Sequence, residues 1–84
     1  MKYKIDISPL VDYFVVAVRD KDTFELKETF TLNETGADML RLFCLDKNIT
    51  EVAKEIATLY DAPLDYVAKD VHKFADSLRK KGVI

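Results

Sequence analysis

Along the start of the chain Tyr3, Ile5 and Ile7 alternate with Lys2, Lys4, Asp6 and Ser8. A period of two places one apolar row on one face of a β-strand. Pro9 interrupts the pattern. Residues 12–18 (Asp12, Tyr13, Phe14, Val15, Val16, Ala17, Val18) are then aromatic, β-branched and apolar on both faces, which suits a central strand. The polar residues Arg19 to Thr23 read as a hairpin connection. A third strand follows, with Leu26, Phe30 and Leu32 assigned to one face and Lys27, Thr29 and Thr31 to the other. Short connections predict an antiparallel meander whose first and third strands are edges. Three strands persist only if helices cover one face.

The period then changes to that of helices. Asn33 is placed to cap a first helix, with Glu34 at its positive end. From Ala37 to Leu45 this helix is apolar almost all round, through Met39, Leu40, Leu42, Phe43, Cys44 and Leu45. Such a helix lies centrally in the core or reserves one stripe for a partner. Asn48-Ile49-Thr50-Glu51 carries the spacing of a capping box and opens a second helix. Its apolar face would be Ile49, Val52, Ala53, Ile56, Leu59 and Tyr60. Pro63 marks the first turn of a third helix, with Leu64, Val67, Val71, Phe74, Ala75 and Leu78 as its buried stripe. Arg79, Lys80 and Lys81 suit its negative end, and Gly82 its left-handed stop. The predicted architecture is α+β: a three-stranded antiparallel sheet followed by three helices in a winged helix-turn-helix-like arrangement.

Composition narrows the possibilities. Eighty-four residues, 49% hydrophobic and 33% charged, make a single domain over residues 1–84 with a thin core. No apolar run approaches the roughly 18 residues of a membrane span, and the N-terminus lacks the apolar block of a signal peptide. The expectation is a cytoplasmic protein without membrane partners. A net charge of −2 supplies no global attraction for nucleic acid. The lone Cys44 excludes an internal disulfide, and its apolar neighbours predict a small buried hydrophobe.

Catalytic chemistry finds little material. His72 and Asp76 are one helical turn apart and could pair, but two groups make a poor metal site, and no Cys/His cluster completes one. Gly36 and Gly82 fall at helix ends, so there is no phosphate-cradling loop. Neither an enzyme nor a bound cofactor is expected. As the reading helix of a winged helix-turn-helix, the third helix would present Lys69, Lys73, Arg79, Lys80 and Lys81 to DNA. Asp65, Asp70 and Asp76 interrupt that face and would repel phosphates. An extended peptide could instead complete the open backbone groups of the third strand. An ordinary edge strand protected by Lys27 and Glu28 fits the same residues. Tyr13, Val15 and Ala17, beside an open edge, could also support a homodimer.

Leu32-Asn33-Glu34-Thr35-Gly36-Ala37 resembles the "LNETGA" signature that opens the first helix in the pyrroloquinoline quinone biosynthesis protein D family. Tyr60-Asp61 at the end of the second helix, Asp70-Val71 in the third, and the close Leu78-Arg79-Lys80-Lys81-Gly82-Val83-Ile84 resemble the family in order and spacing. The resemblance implies a recognition element for ribosomally made, post-translationally modified peptides. It implies that a precursor's leader adds as a strand to the third strand, packs against the third helix, and is presented to a modifying enzyme, often a radical S-adenosylmethionine enzyme. Carried over residue by residue, the peptide-binding set is Glu28, Thr29, Phe30, Thr31 and Leu32 on the strand, with Val67, Val71, His72 and Ala75 along the groove. Asn33 and Gly36 take structural roles. The chain departs from the family pattern where Ala62 stands in place of a small polar residue before Pro63, which predicts a weaker cap.

Overall fold

The computed structural model describes residues 3–84; Lys2, part of the alternating pattern, lies outside them. Three strands, β1 (Tyr3–Pro9), β2 (Phe14–Asp20) and β3 (Leu26–Leu32), precede three helices, α1 (Glu34–Cys44), α2 (Ile49–Leu59) and α3 (Leu64–Lys80). The sheet is an antiparallel meander in the order β1-β2-β3, so β1 and β3 are its edges.

On the helix-facing side Ile7, Val16 and Phe30 stand in one row, and Ile5, Val18 and Glu28 in the next. Val16 and Val18 are fully buried there with Met39, Leu40 and Phe43 of α1, Val52, Ala53 and Ile56 of α2, and Val67, Val71, Ala75 and Leu78 of α3. This is one contiguous core. The alternation expected for β3 fails at Leu26. An irregularity between Val18 and Arg19 pairs Leu26 with Arg19 while Glu28 pairs with Val18. One extra residue in β3 turns Leu26 to the other face, where it is exposed.

Local chemistry sets the helix ends. Asn33 Oδ1 accepts from Gly36 N–H at 2.8 Å, and Asn48 and Glu51 form the reciprocal capping box. A Cβ at Gly36 would lie 3.2–3.3 Å from Asn33 and Leu32, so glycine permits the close approach of α1 to the end of β3. Helix α3 begins after Pro63 with no side-chain cap, as the Ala62-Pro63 sequence predicts. All three helices close alike, with a bond reaching back five residues: Lys47 N–H to Leu42 C=O, Ala62 N–H to Ala57 C=O, and Val83 N–H to Leu78 C=O. The left-handed residue in each closure is Asp46, Asp61 or Gly82, at φ 61, 50 and 74°. Val83 is thereby folded back into the core.

Some apolar residues expected inside are not. Cys44 is exposed at the last turn of α1, because α1 ends there and the core lies beneath Met39, Leu40 and Phe43. Partial desolvation pushes its thiol pKa up, so it stays protonated near neutral pH. Leu45, Leu59 and Leu64 are also exposed. Tyr60 leaves the core to donate a hydrogen bond to Asp38, tying the end of α2 to α1.

Candidate functional site

The direction of the backbone groups on β3 follows from its two turns. Leu10 N–H donates to Tyr13 C=O across the first turn at 2.7 Å, and Asp20 N–H donates to Glu25 C=O across the second at 2.9 Å. Successive residues of a strand aim their N–H and C=O to opposite sides. Tyr13, Val15, Ala17 and Arg19 therefore address β1, and Phe14, Val16, Val18 and Asp20 address β3; both turns give the same parity. The β3 partners of that second set, Glu28, Phe30 and Leu32, point inward. Thr29 and Thr31 are left with N–H and C=O on the free edge.

Beside that edge runs an open cleft of about 500 Å³. Thr29, Phe30, Thr31 and Leu32 of β3, with Val15, form one wall; Phe74, Ser77, Leu78 and Lys81 form the other. The helical wall is a stripe at spacing three and four, which stacks side chains along one line of the helix. Phe74 is half-buried, its ring 6.3 Å from that of Phe43 in an offset stack, so its position is fixed by the core behind it. Helix α3 runs antiparallel to β3. At the Glu28 end, Lys81 Nζ lies 3.3 Å from Glu28 Oε1 and 4.9 Å from the centre of the Phe30 ring. At the Leu32 end a second depression continues to Asn33, Thr35, Gly36, Asp70 and Lys73.

Of the residues expected along the groove, the structure brings together Thr29, Phe30, Thr31 and Leu32, with Glu28 closing one end through Lys81. It does not bring Val67, Val71 or Ala75 to the cleft. These three are at most 6% exposed in the core, because the strongest apolar stripe of α3 is used against the rest of the core. His72 is exposed and faces away from the cleft, since it lies two positions before Phe74 and each position turns the helix by about 100°. Its possible partner Asp76 is instead bonded to Arg79 at 2.9 Å. The residues missed were Phe74, Ser77, Leu78 and Lys81. Their signal was the border of the apolar stripe, where Phe74 and Leu78 alternate with the polar Ser77 and Lys81. Among the described residues no cluster of His, Cys, Asp or Glu could hold a metal, and no helix is long and apolar enough to cross a membrane.

The family model for coenzyme PQQ synthesis protein D (PqqD) matches residues 15–84, from the second strand through the whole helical part. The chain belongs to the PqqD family. The PqqD match includes β3, α3 and every residue lining the cleft. Among solved structures, one described as TbiB1 in complex with the TbiA(beta) leader peptide superposes with a TM-score of 0.71. It is 21% identical, and the match covers 99% of this chain and 93% of that one. At this identity the likeness is one of fold, and it spans β1 as well as the residues the family model matches. No curated protein sequence matches the chain.

Proposed function

We propose that this PqqD-family protein captures the leader of a ribosomally made precursor peptide in the β3–α3 cleft and presents it to a peptide-modifying enzyme, of which a radical S-adenosylmethionine enzyme is the leading candidate. The protein itself contributes binding rather than catalysis. One observation carries the proposal: the free backbone groups of Thr29 and Thr31 lie beside an apolar cleft walled by Phe74 and Leu78. An added strand finds there both main-chain partners and pockets for alternate side chains. The similar structure described with a leader peptide bound supports the same reading. The lining residues include no histidine or carboxylate, so the Thr and Ser hydroxyls have no obvious base to activate them. The DNA-binding alternative is not favoured, because exposed Asp65, Asp70 and Asp76 interleave with the lysines of α3.

The test is a backbone-amide NMR titration with peptides encoded by short reading frames beside the gene. Shifts should concentrate in Glu28–Leu32 and Phe74–Lys81. Thr29→Pro removes one edge donor without touching a bond to β2, so it should lower affinity about tenfold while leaving the helical spectrum intact. Binding that perturbs other surfaces, or that ignores Thr29→Pro, would overturn strand addition at this edge.

A further inference from the structure

The cleft is apolar in the middle and ionic at one end, and the register converts this into a sequence preference. On a strand added to β3, residues opposite Leu32, Phe30 and Glu28 place their side chains on the α3 side, two positions apart. The first two meet Phe74 and Leu78. The third meets the ammonium of Lys81, beside which a further depression is lined by Lys73, Asp76, Ser77 and Lys80. Asp76 is bonded to Arg79 at 2.9 Å and Glu28 to Lys81 at 3.3 Å, whereas among the described residues neither Lys73 nor Lys80 has an acidic partner within ion-pair distance. The groups lining this end are thus three lysines, Lys73, Lys80 and Lys81, against Asp76, which Arg79 neutralises, and Glu28, which Lys81 holds. Lys73 reaches both depressions, and in the one beside Asn33 it is joined by Asp70.

We infer that the peptide captured here carries an acidic side chain two residues beyond its apolar anchors, selected by Lys81 with Lys80 and Lys73. The inference rests on the strand-addition reading and deepens it. An ammonium has three N–H donors, so Lys81 can keep Glu28 while accepting a second carboxylate, and Glu28 holds it over the cleft rather than out in solvent. The motif reads apolar-x-apolar-x-acidic if the peptide runs antiparallel to β3, and the reverse if parallel. A basic residue at that position would meet the same cations and be rejected.

Display selection from a random nonapeptide library tests this without knowing the natural ligand. The wild-type protein should enrich sequences with Asp or Glu at that spacing from the apolar pair. In the selected peptide, Glu→Gln should weaken binding about threefold to tenfold at low salt, and less as salt rises. The variant Lys73→Gln/Lys80→Gln/Lys81→Met should still enrich the apolar pair but lose the acidic preference. If Lys81 proves necessary for folding, Lys73→Gln/Lys80→Gln, at two exposed positions, should reduce the preference alone. An apolar pattern with no acidic bias, or a bias that survives the lysine substitutions, would overturn the inference and leave peptide capture standing. No enrichment over Thr29→Pro would remove peptide capture itself, and this preference with it.

Discussion

Single side chains do unequal work in this protein, and Asp20 shows how much a surface carboxylate can organise. Its Oδ1 accepts from the N–H groups of Asp22 and Thr23 at 2.8 and 3.0 Å, closing the β2–β3 turn that sets the register of the free edge. The Thr23 bond, then the Asp22 bond, hold its pKa below the usual 3.8. The unfolded chain therefore binds its proton more readily, so stability rises with pH in this window. The contribution is complete above the unfolded value and is lost as pH falls through the lower folded one. The thermal stability of the wild type should thus fall on acidification through that interval by more than that of Asp20→Asn, which keeps an acceptor oxygen but has no charge to titrate. Parallel curves for the two proteins would show that the turn does not depend on the ionised form. Cys44 offers a contrast: exposed, with a raised pKa, it has neither the burial its neighbours suggest nor the thiolate character of a reactive cysteine.

The elements show where a sequence speaks and where it is silent. Three strands, three helices and the capping box at Asn48 were legible because each follows from local periodicity and local hydrogen bonding. Gly82 was legible as a stop; Asp46 and Asp61 were not, since aspartate enters the left-handed region only when the next turn requires it. Replacing Asp61 by Gly removes that backbone cost, partly offset by the greater freedom of the unfolded chain. We expect a gain of about 0.5 kcal/mol and a rise of roughly 2–4 °C in Tm by calorimetry. The strand wall of the cleft was readable for the same local reasons. Its helical wall was not, because apolar periodicity reports which stripe of α3 is buried, and Val67, Val71 and Ala75 are buried in the core. The stripe facing β3 joins two members of the apolar face, Phe74 and buried Leu78, to exposed Ser77 and Lys81, so periodicity alone does not separate it from the core stripe until β3 is placed beside it. The exposure of Leu26 was hidden likewise, as one unpaired residue inverts an alternation that is otherwise regular.

At the scale of the whole molecule, one small core has to hold the sheet to the helices. Leu40 is fully buried, and it belongs to the helix that follows directly from the strand edge. Leu40→Ala should cost about 2–5 kcal/mol, a large share of the few kcal/mol expected of a chain this length. We expect Tm to fall by about 15 °C, measured by circular dichroism, and the amide spectrum of sheet and helices to be lost together. Persistence of the helical signals after the sheet signals vanish would indicate two folding units. Finally, an edge with the free backbone groups of Thr29 and Thr31 offers itself to any extended main chain, and main chain carries no mark of its owner. Nascent copies of the same protein offer it the same backbone groups as a foreign peptide does. The abundance of unfinished chains then competes with the side-chain preference of the cleft for the vacant seat. Wherever unfinished chains outnumber folded ones, solubility becomes a property of the missing strand.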